Sequence, residues 1–131
     1  MKNKKISVLI VSVFITTIIC SFTALKTNQS TKDKIIGTWI SDEDINNKWV
    51  FSTNNTCKRY YNGKLLNTYN FSITGYSCNN ELDTIDEYLK LTKNNSKTYC
   101  YAINGITIDG NDTYLSLEFD GNPRPMLFKK Q

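Results

Sequence analysis

Beyond Ile35 the apolar residues recur at every second position, the period of a β-strand with one face turned to a core. The clearest stretch is Leu66 to Thr74, where Tyr69, Phe71 and Ile73 alternate with Thr68, Asn70, Ser72 and Thr74. Trp49 and Phe51 alternate with Lys48 and Ser52 in the same way, and Leu89 and Leu91 with Tyr88, Lys90 and Thr92. Leu115, Leu117 and Phe119 alternate with Tyr114, Ser116 and Glu118, and a last short strand is predicted from Pro125 to Lys129.

Turn signals separate these runs. Asn54-Asn55, Asn62-Gly63, Asn94-Asn95, Asp109-Gly110 and Asp120-Gly121 supply residues that tolerate positive φ. Asn62-Gly63, between Tyr60-Tyr61 and Leu65-Leu66, is the strongest local hairpin signal. The pattern predicts an all-β domain of about eight antiparallel strands. Closing such a sheet removes its two free edges, and hairpin order without long crossovers favours an up-and-down barrel over a Greek-key sandwich. Only Ser77 to Glu87 breaks the rhythm; rich in carboxylates at Glu81, Asp83, Asp86 and Glu87, it reads as a loop with at most one helical turn.

The N-terminus follows another plan. Lys2, Lys4 and Lys5 precede an uncharged, mostly apolar run from Ile6 to Leu25, the layout of a secretory signal peptide. Three fates stay open: lipidation at Cys20, cleavage and free export, or retention as an anchor across a membrane. Each places the domain outside the cytoplasm, on the outer-membrane or periplasmic side as a lipoprotein, or secreted. Lys26 to Lys34 is polar and aperiodic and reads as a tether, with the domain running from Ile35 to Gln131. The formal charge of +4 comes mostly from the leading lysines, and from Lys26 onward 13 basic residues face 12 acidic ones. That balance lacks the basic footprint of a nucleic-acid partner.

With no His in the chain, a Ser-His-Asp triad, a Cys-His pair and an imidazole-bound zinc are all excluded. The carboxylate groups at Asp42-Glu43-Asp44 and Glu81 to Glu87 could hold calcium or do acid–base work, but the first lacks EF-hand spacing and the second reads as a solvated face. No nucleophile–base pair or metal set can be assembled, so the expectation is a non-enzymatic protein without a cofactor. Export permits disulfides. With Cys20 set aside, Cys57, Cys78 and Cys100 leave an odd count. The preferred pair is Cys78 with Cys100, which staples the acidic loop to a strand and is worth about 3 kcal/mol. Cys57 then becomes a small residue facing the barrel or a neighbour.

The most specific motif is Ile36-Gly37-Thr38-Trp39 at the head of the first strand. With Trp49-Val50-Phe51, Cys57-Lys58-Arg59-Tyr60, Tyr99-Cys100-Tyr101, Ile103-Asn104-Gly105-Ile106, Leu115-Ser116-Leu117 and the terminal Leu127-Phe128-Lys129-Lys130, the domain resembles the lipocalin superfamily. It resembles most closely the short lipocalin-like proteins exported by bacteria. The resemblance implies that Gly37 and Trp39 form the base of the barrel, with Trp39 packed across its closed end under a basic residue of the last strand. Arg124, Lys129 and Lys130 are the candidates for that cover, and the sequence does not choose among them.

The resemblance also implies binding of a small apolar ligand, with Trp49, Phe51, Tyr69 and Phe71 as the wall. An eight-stranded barrel is just wide enough to be filled by its own side chains or to hold one small molecule. The second reading is therefore a filled barrel that meets a protein partner through its loops, as an envelope interaction or protease-inhibitor module. Tyr60, Tyr61, Tyr88, Tyr99, Tyr101 and Tyr114 are left to rim a mouth or cover the outer wall.

Overall fold

The computed structural model describes residues 29–78, 87–94, 96–120 and 122–131. Cys20 and the carboxylates Glu81, Asp83 and Asp86 lie outside the described residues. Eight strands form a closed barrel: β1 (Gly37–Ser41), β2 (Asn47–Phe51), β3 (Thr56–Tyr61), β4 (Lys64–Thr74), β5 (Tyr88–Lys93), β6 (Lys97–Asp109), β7 (Asp112–Phe119) and β8 (Asn122–Lys130). Each strand pairs antiparallel with the next, and β8 closes on β1, so the topology is the expected up-and-down barrel.

A short helix, α1 (Thr31–Ile35), precedes β1 and occupies the end of the polar stretch expected to be a tether. Thr-Lys-Asp-Lys has no apolar period to betray a helix. Ser30 starts it: its carbonyl accepts from the Asp33 and Lys34 amides, and its hydroxyl oxygen accepts from Asp33 N at 3.2 Å. The Thr31 hydroxyl donates to the Glu87 carboxylate, and the one apolar residue of α1, Ile35, is fully buried. The β2–β3, β4–β5 and β6–β7 connections share this helix end. The β1–β2, β3–β4, β5–β6 and β7–β8 connections lie at the far end.

The turns are made by the residues that tolerate them. Asn62 and Gly63 have φ of 49° and 74°, the paired left-handed residues of a tight hairpin. Asn55, Asn94 and Gly110 also sit at positive φ. Pleat alternation delivers Trp39, Trp49, Phe51, Cys57, Tyr69, Phe71, Leu89, Leu91, Tyr101, Ile103, Leu115, Leu117 and Phe128 to one core. A register shift between Ile103 and Gly105 resets the alternation of β6, so Ile106 also packs on that core.

β8 begins three residues earlier than the pattern predicts. Its prolines are admitted because β1 pairs with only Phe128–Lys130, which leaves Pro125 bonded to one neighbour, opposite Glu118. The Cys78–Cys100 disulfide is formed, with Cα atoms 5.8 Å apart. Cys100 alternates out of step with the core-facing Tyr99 and Tyr101, so the bond fastens the β4–β5 connection to the outer wall. Tyr88 and its cross-strand partner Ala102 are buried on that same outer face.

Candidate functional site

One row of register partners crosses five strands: Lys130 opposite Trp39, Trp39 opposite Trp49, Trp49 opposite Arg59, and Arg59 opposite Asn67. Barrel strands tilt against the axis, so such a row climbs the wall. It starts on the last residue of β8, at the helix end. It finishes on β3 and β4, two and three residues from the far end. A cation sits over each indole, Lys130 Nζ at 5.2 Å from the Trp39 centroid and Arg59 Cζ at 4.5 Å from that of Trp49.

At the helix end every polar group of this arrangement has a partner. Trp39 Nε1 donates to the Ile35 carbonyl at 2.6 Å, and Lys130 Nζ donates to the Lys34 carbonyl at 2.9 Å. Lys130 is therefore the cover that the sequence left unassigned. Arg124 instead pairs with Glu43 at 2.8 Å and Lys129 with Asp112 at 2.7 Å, both exposed. Gly37 belongs to the same device: its φ is 133°, and a Cβ there would stand 2.7 Å from Lys130 Cε.

Toward the far end the same chemistry is incomplete. Trp49 Nε1 donates to Asn47 Oδ1 at 3.1 Å. Arg59 lies close enough to Cys57 and Tyr101 for its charge to act on both, and its buried Nε has no hydrogen-bond partner among the described residues. Burial pushes the Cys57 thiol up to about 12, against the opposing pull of the Arg59 charge. The Tyr101 hydroxyl is raised by burial in the same way, again opposed by Arg59. Neither group is ionised near neutral pH, so Arg59 holds its positive charge among neutral neighbours.

The four residues expected to line a ligand wall all face the interior, with 1–4% of their surface exposed. They pack on rings: Phe51 meets Phe71 edge-on at 5.2 Å, Trp49 meets Tyr101 at 5.4 Å and Phe128 at 5.1 Å, and Tyr69 meets Tyr99 at 5.9 Å. Of the tyrosines left unplaced by sequence, Tyr99 and Tyr101 face inward. Tyr60 lies on the outer wall under Lys48, and Tyr61 is exposed near the far end. Two surface hollows, of about 370 and 220 Å³, involve none of the four wall residues.

Cys57 is a free, buried thiol inside the barrel. In the first acidic cluster, Glu43 is held by Arg124 and Asp44 accepts from the Asn46 amide. No three Cys, Asp or Glu side chains among the described residues come together as a cation-holding group. Arg59 was not among the sequence candidates, although its parity with Cys57 on β3 turns it inward. Comparison of the chain with protein-family models, curated proteins and solved structures finds no match.

Proposed function

We propose that this chain is an exported, lipocalin-like, non-enzymatic binding protein that takes a small, largely apolar ligand at the far end of its barrel. The observation that carries the reading is the inward convergence of Arg59 and Tyr101 on the Trp49 indole, with the Tyr69–Tyr99 ring pair near Tyr101. An interior built only for stability would be fully apolar or fully satisfied, since an unpartnered buried polar atom costs about 1–3 kcal/mol. Trp49, Phe51, Tyr69 and Phe71 form the floor of the site in this reading, below the entering molecule. The signal-like N-terminus and the Cys78–Cys100 disulfide support an extracytoplasmic location, either tethered through Cys20 or free.

A second reading draws on the ring packing. If the floor is the whole interior, the barrel is a filled scaffold for a protein partner, and exposed Ile45, Leu65, Leu66 and Ile108 are the contacts it offers. Native mass spectrometry of the full chain, exported through an oxidising compartment and never denatured, separates the two. A co-purifying mass released on denaturation is the expected result. A bare polypeptide that stays bare after incubation with mixed lipid extract would turn the assignment to the filled scaffold.

A further inference from the structure

At the far end of the barrel three cations stand without an ion-pair partner among the described residues. Counting in steps of two from the core residues Leu91 on β5 and Tyr99 on β6 reaches Lys93 and Lys97, which stand directly opposite each other in the register. Like charges placed across a strand pair repel, so this register costs stability unless something else offsets it. Lys93 Nζ reaches back to Asn67 Oδ1 at 2.6 Å, and Lys97 Nζ lies 4.8 Å from the Tyr99 centroid, so both heads are drawn over the rim beside the Arg59 row.

Among the described residues the two ion pairs are Arg124–Glu43 and Lys129–Asp112, and neither engages Arg59, Lys93 or Lys97. The carboxylates at the same end are Asp42, Glu43 and Asp44 of the 42–46 connection, where Glu43 is taken by Arg124 and Asp44 accepts from the Asn46 amide, and Asp120 of the β7–β8 connection, whose amide donates to the Cys100 carbonyl. Three cations on adjacent or near-adjacent strands thus stand at one end of the barrel, none of them in an ion pair among the described residues. One of them, Arg59, presents a buried guanidinium nitrogen, Nε, with no acceptor among the described residues.

We propose that this end is a seat for an anionic head group, and that the ligand is a carboxylate carried on an apolar or flat body. Arg59 is its principal partner, through the geometry that suits a planar guanidinium to a carboxylate. Lys93 and Lys97 attract the anion from the rim, and the body rests outward against the exposed rings of Tyr61 and Phe119. The inference rests on the binding reading above and adds to it the charge and orientation of the ligand.

Calorimetric titration of the full chain with 2-naphthoate and decanoate, each beside its neutral counterpart 2-naphthamide or decanol, tests it. The acids are expected to bind at least tenfold more tightly than the neutral forms, and to lose affinity as NaCl rises from 50 to 500 mM. Arg59→Gln should remove at least tenfold of acid affinity and collapse the preference for acid over neutral probe, Arg59→Lys should restore part of that preference, and Lys93→Gln or Lys97→Gln should weaken acid binding two- to threefold. The comparison of acid with neutral probe on the unaltered chain stands even if a variant folds poorly. Equal uptake of acid and neutral forms, or a neutral co-purifying mass, overturns the anion seat and leaves ligand binding intact. No uptake of any probe by a bare chain overturns both.

Discussion

The two tryptophans of this barrel stand opposite each other on β1 and β2, each roofed by a cation, yet they serve different ends. At Trp39 the cation is tied off: Lys130 donates to the Lys34 carbonyl, and the indole donates to that of Ile35. At Trp49 the cation is left with an unspent donor inside the wall. A satisfied polar cluster fastens α1 to the barrel and closes one end. The other keeps a buried donor, Arg59 Nε, without a partner among the described residues. The difference between the ends lies in hydrogen bonding and not in stacking, since the stacking itself is common to both.

Removing the closing indole should have the largest effect of any single change. Trp39→Ala takes a fully buried side chain from the centre of the helix-end cluster and is expected to destabilise the domain by about 3–5 kcal/mol, read by urea or thermal unfolding. Binding at the far end should survive in whatever fraction remains folded. Gly37→Ala comes next. Its φ of 133° strains any side chain, and the added methyl collides with Lys130 Cε, so a loss of about 1–3 kcal/mol is expected. A smaller loss in Gly37→Ala combined with Lys130→Ala than in Gly37→Ala alone would show that the collision contributes.

The paired cation swap sharpens the comparison, because the two ends should respond with opposite sign. Lys130→Met removes a satisfied hydrogen bond and a cation–indole contact, and should cost about 1–2 kcal/mol. Arg59→Met removes an incompletely partnered charge from the same kind of setting, and replacing such a charge by an apolar side chain is often neutral or stabilising. Unfolding of the ligand-free protein is expected to show Arg59→Met at or above the stability of the unaltered chain. A clear loss would mean that Arg59 is structural and that the far end mirrors the helix end.

Much of this architecture is legible in the chain because alternation is local. Tyr69, Phe71 and Ile73 sort themselves onto one face with no knowledge of their neighbours, and Asn62-Gly63 fixes a hairpin by its own backbone preferences. What the chain hides is set by register between strands. Parity from Phe128 leaves both Arg124 and Lys130 as inward covers, and only the pairing of Lys130 with Trp39 chooses between them. Arg59 is masked twice. An arginine in a strand reads as solvent-facing, and the register shift after Arg59 blurs the burial of β3, so the alternation that would expose it is broken at its own position. The α1 helix escapes for another reason: five residues with one apolar side chain carry no period, and its stability comes from the Ser30 cap and from tertiary contacts.

The smallest effect is the most specific to the interior of β3. Cys57 stands two residues from Arg59, fully buried, and burial raises its thiol from 9.0 to about 12 despite the nearby charge. Below pH 9 the thiol is neutral in both folded and unfolded chains, so its contribution to stability is fully present. As pH climbs from 9 towards 12 the unfolded thiol ionises first, and that contribution is lost over this window. Stability should therefore decline from pH 9 upward, and Cys57→Ala should make the decline shallower. Part of the slope should remain, because Tyr101 is raised by burial as well and acts above its ordinary value of 10. Alkylation mapped to Cys57 gives the companion measurement: iodoacetamide at pH 8 should leave this thiol unmodified in the folded chain and modify it fully in guanidinium. Ready labelling of the folded chain would place Cys57 in contact with solvent and overturn its burial inside the barrel.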